Sequence, residues 1–336
     1  MPPAISIVMP CYNTADTLPE TLASIAAQTQ PNYELIAIDD GSSDQTAHIL
    51  AQAAAHDDRI KIINAGRVGL VGALNLGLAH AQAPLIARMD ADDLMYPERL
   101  AQQQAYLDAN PQIALVSCQV DLFPEELIHA GYREYVRWQN QCLTPDQIAN
   151  NIYIESPLPH PSVMFRRSLV DQIGPYRDGD FPEDYEYWLR MHAAGLSMAK
   201  LDQTLLSWRE NPTRTSRVDS RYARSAFDQL RAEYLARDPR LHSDRPLVVW
   251  GAGRKTRLRS KYLLNYGFRV SAWIDIDPDK IGHVVWDAPV CAPDWLDQTP
   301  RPLVLVYVTA HGAREYCQSI LEPLGYQLGC DYFCVG

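Results

Sequence analysis

The sequence predicts an α/β protein of two domains, and three observations carry that reading. Its 336 residues exceed the roughly 250 at which a single hydrophobic core stops growing. In the first half, short apolar runs alternate with amphipathic stretches, the pattern of a parallel sheet covered by helices. Past residue 245, a strand, a Gly-Ala-Gly turn and a helix open a second and smaller β-α-β series. The expected domains are 1–240, including a helical tail at 217–237, and 245–336.

Each element has its own signal. Ile5 to Met9 reads as a buried strand, and Thr17 and Glu20 stand at capping-box spacing around Pro19, opening a helix with Leu18, Leu22 and Ile25 on one face. Tyr33 to Asp39 is a second strand, Ser43 to Ala55 a helix, Ile60 to Ile63 a third strand and Val71 to Ala79 a helix. Leu85 to Asp90 is the fourth strand, Pro97 starts another helix at N1, and Ile113 to Cys118 is again a buried strand. Asp121 to Glu155 has no clean period and reads as an irregular surface rich in Tyr, Trp and Gln. Regularity returns with the strand Ser162 to Phe165 and the helix Glu183 to Ala194, closed by Gly195. Beyond Pro239 come the strands Leu247 to Trp250, Phe268 to Asp275, Leu303 to Thr309 and one near Tyr332, with helices from the Gly-Ala-Gly turn to Tyr266 and from Ala313 to Leu324.

Composition excludes several classes. The formal net charge of −11 repels nucleic acid, so an anionic ligand must be met locally by a metal, a helix N-terminus or arginines. No run approaches 18 apolar residues, and the start MPPAISIVMP has no basic n-region, which reads against a spanning helix and a signal peptide. The seven cysteines, at 11, 118, 142, 291, 317, 330 and 334, form no C-x-x-C pair. They read as buried thiols in a reducing, cytoplasmic compartment.

Four clusters carry chemistry. Val8-Met9-Pro10-Cys11-Tyr12-Asn13 ends the first strand, where an open α/β sheet meets its ligands and a tyrosine can stack on a base. Asp39-Asp40-Gly41-Ser42-Ser43-Asp44 ends the second. Asp40 is the candidate for a base or ribose contact, and Asp44 the candidate cap of the next helix. Arg88-Met89-Asp90-Ala91-Asp92-Asp93 ends the fourth; three carboxylates so close repel one another, and a hard divalent cation is the natural compensation. Phe181-Pro182-Glu183-Asp184-Tyr185 opens a helix. The dipole accounts for Glu183 there, whereas Asp184 beside aromatic rings suits a general base.

In that order, and joined by Gly69-Leu70, Ala73-Leu74-Asn75 and His160-Pro161-Ser162-Val163-Met164-Phe165-Arg166-Arg167, the clusters resemble the family 2 glycosyltransferases of GT-A fold over residues 4–216. The resemblance implies a GT-A type nucleotide-diphospho-sugar transferase domain followed by a small Rossmann-like α/β domain. It implies that Pro10, Tyr12, Asp39 and Asp40 hold the nucleoside, Asp90 the ribose, and Asp92 a Mg²⁺ or Mn²⁺ ion. Asp184 matches the base position, and His160 and Glu183 are candidate acceptor or diphosphate contacts, with a structural histidine the alternative for His160. The implied reaction is inverting transfer from a nucleotide diphosphate sugar to a hydroxyl on a glycan or lipid-linked acceptor, in surface glycan synthesis.

Two features lie outside that resemblance. Arg214, Arg217, Arg221, Arg224 and Arg231 recur at helical spacing, read either as a solvated face or as a contact with a lipid-linked diphosphate acceptor or a peripheral contact with an anionic membrane surface. Gly251-Ala-Gly253 lies between a strand and a helix, with Asp275 ending the next strand, but Thr256 replaces the third glycine of a dinucleotide fingerprint. Two rival readings remain at this point: a sugar-nucleotide oxidoreductase using the C-terminal domain, and a catalytically degenerate binding protein.

Overall fold

The structure is a computed structural model that describes residues 2–212, 214–310 and 312–336. The chain forms two compact units: Met1–Ile148 with Pro157–Arg221, and Ala149–Ser156 with Tyr222–Gly336.

The first unit is built on β1 (Ile5–Cys11), α1 (Leu18–Ala26), β2 (Tyr33–Asp39), α2 (Thr46–His56), β3 (Ile60–Asn64), α3 (Gly69–His80), β4 (Leu85–Arg88) and β5 (Leu94–Met95). It continues through α4 (Arg99–Ala109), β6 (Ile113–Phe123), α5 (Ala130–Gln141), α6 (Pro145–Asn151), β7 (Met164–Arg166), α7 (Ser168–Ile173), α8 (Glu183–Ala193), β8 (Ser197–Arg209) and α9 (Thr215–Val218). Among the described residues its sheet has eight strands in the order β3-β2-β1-β4-β7-β6-β8-β5. β1, β2, β3 and β4 run parallel, and β7 is antiparallel to β4 and β6. β6 therefore points the same way as β4, and β8 runs parallel to β6, so the carboxyl ends of β1, β2, β3, β4, β6 and β8 lie along one edge. Strands β1, β2 and β4 are almost wholly buried, which is why they read as continuous apolar runs rather than alternating ones. α3 lies tight on this layer at Gly77, where a Cβ would run into Val8 and Ile38.

The second unit contains α10 (Arg224–Arg237), β9 (Leu247–Trp250), α11 (Arg254–Leu264), β10 (Ala272–Ile274), β11 (Val284–Val285), β12 (Ala288–Cys291), β13 (Leu303–Val306), α12 (Ala313–Leu321) and β14 (Tyr332–Cys334). Its sheet order among the described residues is β11-β12-β10-β9-β13-β14, parallel except at β11.

Several expectations are corrected. The capping box does not form: Thr17 makes no side-chain cap, its hydroxyl donates to Thr14 O and Ala91 O, and Glu20 pairs with Arg209. Residues 121–155 are mostly ordered elements: the end of β6, then α5 and α6. Long β8 had left no clear sequence signal, because its exposed polar middle, Asp202–Thr204, interrupts the apolar pattern. The 217–237 tail is no single helix. Its main part, α10, belongs to the second unit, where Arg231 donates to Ile154 O and pairs with Asp228. The arginines are therefore not a stripe on one continuous helix: Arg217 pairs with Glu210 and Arg221 with Asp219 in the first unit. No helix among the described residues is long and apolar enough to cross a membrane. Of the cysteines, Cys330 is exposed and Cys291 half-buried, the other five being buried.

Candidate active site

Register brings the first three clusters together. β1 lies between β2 and β4, with Cys11 opposite Asp39 and Val8 opposite Arg88. The residues that follow, Tyr12, Asp40 and Asp90 to Asp93, thus leave adjacent strands at one carboxyl edge, where open α/β sheets bind ligands. Pro10 ends this run half-buried, and Tyr12 is 44% exposed.

On the β2 side, Asp39 Oδ1 accepts from Ser42 N at 3.0 Å and closes the turn. Asp40, 3% exposed, accepts from the backbone N–H groups of Val68 and Gly69 at 2.6 and 2.9 Å and from the Arg67 guanidinium. Arg67 also lies 3.6 Å from the Tyr12 ring centroid, a cation–π geometry. Tyr12 and Asp40 therefore share one partner, Arg67, that the sequence did not single out. Asp44 is a turn residue: it accepts from Thr46 N and Ala15 N.

On the β4 side, Asp90, Asp92 and Asp93 bring one carboxylate oxygen each to within 4.8 Å of one another. The turn that holds them is pinned from two directions. Thr21 donates to Ala91 O and Asp93 O at 3.1 and 2.9 Å, while Arg209 donates from its backbone N to Asp93 Oδ1 at 2.8 Å and from Nε to Asp92 O at 2.6 Å. Buried Arg88 reaches Asp90 at 2.5 Å. Asp93 is 1% exposed and its Oδ2 is a buried oxygen without a hydrogen-bond donor. Burial, then the neighbouring Asp90, pushes the Asp92 carboxyl up to about 6; burial with Asp92 and Asp90 holds Asp93 well above the ordinary range. Three crowded carboxylates, one with an orphaned oxygen, fit a hard divalent cation. Arg214 faces the same cluster: its guanidinium donates to Tyr132 Oη at 2.9 Å, stands 4.5 Å from the Trp208 ring, and is raised by Tyr132 and the three aspartates against the burial that lowers it.

The fourth cluster surrounds the start of α8. Asp184 is half-buried, and its Oδ1 accepts from Tyr185 N at 2.7 Å. Glu183 is buried, with His160 Nδ1 3.8 Å from its carboxylate. His160 Nε2 lies 2.9 Å from Tyr176 Oη, and burial plus nearby Arg88 drives its pKa well below the usual value, so the ring is neutral. As placed, His160 supports Tyr176 instead of facing an open ligand site. Tyr176 is itself fixed by Asn75, whose amide donates to Tyr176 O and accepts from Tyr176 N at 2.9 and 3.0 Å. Asn75 stood in the sequence pattern, but its partner 101 residues away had no local signal.

An α/β sheet with a carboxylate cluster and an exposed tyrosine on its carboxyl edge defines a class of ligand-binding α/β proteins, and likeness to known proteins narrows it. A family profile described as Glycosyl transferase family 2 matches residues 6–174, and the chain belongs to that family. It is 34% identical over 214 residues to the putative glycosyltransferase EpsE of Bacillus subtilis, covering 62% of this chain and 74% of that one. It is 29% identical over 207 residues to the amylovoran biosynthesis glycosyltransferase AmsE of Erwinia amylovora, covering 61% and 75%. The crystal structure of S. aureus TarS 1-349 in complex with UDP superposes with a TM-score of 0.54 at 18% identity, covering 79% of this chain and 72% of that one. Glycosyltransferase activity, a nucleotide-sugar substrate class and relatives in polysaccharide biosynthesis follow from this membership.

Proposed function

We propose that the protein is an inverting glycosyltransferase that moves a sugar from a nucleoside diphosphate donor to a hydroxyl of a glycan or lipid-linked acceptor during surface glycan synthesis. The observation that carries this reading is the pinned Asp90, Asp92 and Asp93 cluster beside Tyr12 and Asp40 on the same sheet edge. In it, Tyr12 stacks on the base, Pro10, Asp39 and Asp40 complete the nucleoside pocket, and Asp90 meets the ribose. Asp92 is the main protein ligand of a Mg²⁺ or Mn²⁺ ion, with Asp93 Oδ2 facing the same cluster. The ion, when bound, supplies positive charge that neutralises the departing diphosphate. Asp184 accepts the proton of the acceptor hydroxyl as its oxygen bonds to the anomeric carbon. The donor bond breaks on the opposite face, so configuration inverts. His160 and Glu183 act behind Asp184, holding Tyr176 and the start of α8.

The second unit reads as a Rossmann-like domain; support comes from the parallel order β12-β10-β9-β13-β14 and from the Asp275 carboxylate accepting from Ala252 N in the glycine turn at 2.8 Å.

The test is a thermal-shift and product-release screen of nucleotide sugars with and without Mn²⁺. A ligand confined to the folded state raises stability by mass action. The reading predicts a shift and slow release of nucleoside diphosphate with at least one donor, both lost with chelator. No shift and no release with any donor would overturn it.

A further inference from the structure

A cleft of about 790 Å³ opens on the first unit between α5 and the paired strands β6 and β8. It begins at the carboxyl edge that carries the aspartates. Arg209, which donates to Asp92 O, lies 4.4 Å from the ring of Phe123, and Leu122, Asp121 and Glu125 beside that ring line the cleft. From there it runs down β6 to Gln119 and along α5 to Gln141.

The sheet is locally altered to shape this wall. Cys118 pairs with Leu201 but Gln119 pairs with Thr204, so Asp202 and Gln203 fall outside the ladder. Bulges of this kind re-aim side chains beside functional sites. Here Asp202 is turned into the cleft, where it accepts from Gln119 Nε2 at 2.7 Å.

The lining chemistry is selective. Sugar hydroxyls both donate and accept, and the cleft offers carboxylate acceptors at Asp121 and Asp202, guanidinium donors at Arg133 and Arg137, and the Gln141 amide, which does both. Leu122, Val136 and Leu143 supply apolar patches for the C–H face of a pyranose ring. Arg133 is paired with Glu125 at 2.6 Å, so the remaining charge, Asp121 and Asp202 against Arg137, is slightly negative and gives no field for a polyanion or an anionic lipid surface.

We propose that this cleft holds the non-reacting sugar residues of a neutral oligosaccharide acceptor, behind the hydroxyl that is glycosylated. The proposal rests on the glycosyltransferase reading above, and its test separates the two. Asp202 and Arg137 are exposed, so Asp202→Ala and Arg137→Ala leave the core untouched. Wild type and both variants are applied to a printed array of defined neutral and anionic oligosaccharides of two to six sugars. Transfer to the strongest-binding oligosaccharide is then compared with hydrolysis of the donor by water. The expected result is binding to neutral oligosaccharides, weakened at least tenfold in each variant, with the acceptor KM raised at least tenfold and donor hydrolysis unchanged. If the wild type hydrolyses donor but binds nothing on the array, binds only anionic glycans, or binds a glycan that both variants bind and use equally well, the cleft is not the acceptor site and the function stands. If the wild type hydrolyses no donor, the enzymatic reading fails and the cleft proposal fails with it.

Discussion

Asp184→Asn separates a proton-accepting role from a structural one, because the structure gives the two effects different sizes. Asp184 anchors its helix through Oδ1, which accepts from Tyr185 N at 2.7 Å; an asparagine Oδ1 accepts the same bond. The charge it loses sits in the first turn of α8, where a carboxylate contributes about 0.3–1 kcal/mol through the helix dipole. Removing a general base costs about 10²- to 10⁴-fold in rate, or roughly 3 to 5 kcal/mol of barrier. The variant is therefore expected to stay folded, to bind donor nearly as before, and to lose about 100-fold or more in kcat. The assay is steady-state release of nucleoside diphosphate in the presence of acceptor, with donor affinity from calorimetry and stability from urea unfolding. Near-normal turnover in Asp184→Asn, with turnover lost in Glu183→Gln, would refute the assignment. Burial of Glu183 beside neutral His160 argues against that outcome.

Four further outcomes follow from the same structure. Asp92→Ala is expected to abolish Mn²⁺-dependent donor binding in calorimetry, and unchanged affinity with and without chelator would remove Asp92 as the metal ligand. Arg67→Leu leaves buried Asp40 with two backbone donors and uncovers Tyr12; nucleoside diphosphate affinity should fall about tenfold, near 1.4 kcal/mol, and an unchanged Kd would show that Arg67 only closes the loop. Lys200 is buried, donates to Pro157 O at 2.9 Å and to Gln139 O, and is pushed down by burial to about 8 from 10.5. The unfolded chain holds this proton to higher pH than the folded one, so wild-type stability relative to Lys200→Met should rise by about 3 kcal/mol as pH goes from 7 to above 10.5, and a flat difference between the two urea-unfolding curves would contradict the shift. A chain truncated after Arg240 deprives Ala149–Ser156 of its neighbours, including Gly336, whose N–H donates to Tyr153 O at 2.8 Å; it should unfold at a lower urea concentration than the full chain, and an equal midpoint would show that the segment folds without them.

The parts of the fold that were legible in the sequence are those whose burial is uniform. β1, β2 and β4 are covered on both faces, so their apolar runs stand out against polar loops. β8 and α5 were not legible for the converse reason. β8 mixes buried and exposed stretches around a bulge, and α5 buries only Val136 and Gln139 completely while its tyrosines pack at partial depth. A pattern read by apolar period misses an element that buries polar residues. The assignment of α10 to the first domain failed on a different ground: its partners in the second unit include Ala149–Ser156, a segment that interrupts the first unit in sequence, and no local pattern announces a chain that leaves a domain and returns.

The candidate site divides along the same physical line. Carboxylates at strand ends were visible because acidic residues immediately after an apolar run are costly to place there without partners; the structure gathers Asp90, Asp92 and Asp93 into a cluster, whereas Asp44, read as a cap, is a turn residue and α2 has no side-chain cap. The cations that answer them were not visible. Arg67, Arg209 and Arg214 reach the site from loops and a strand end, Arg209 from 117 residues beyond Asp92 and Arg214 from further still, and an arginine that is exposed and one that is buried against carboxylates look alike in one dimension. The helical spacing of Arg214, Arg217 and Arg221 suggested a single outward face, yet Arg214 turns inward because Trp208 and Tyr132 give its guanidinium two aromatic surfaces and the aspartates give it charge. Periodicity assigns a side chain to a face only when the helix is continuous, and here the helix stops at Val218. The positive charge that answers an acidic cluster is thus set by tertiary partners, which is why the carboxylates at the strand ends could be read from the sequence while their counter-charges had to be seen in three dimensions.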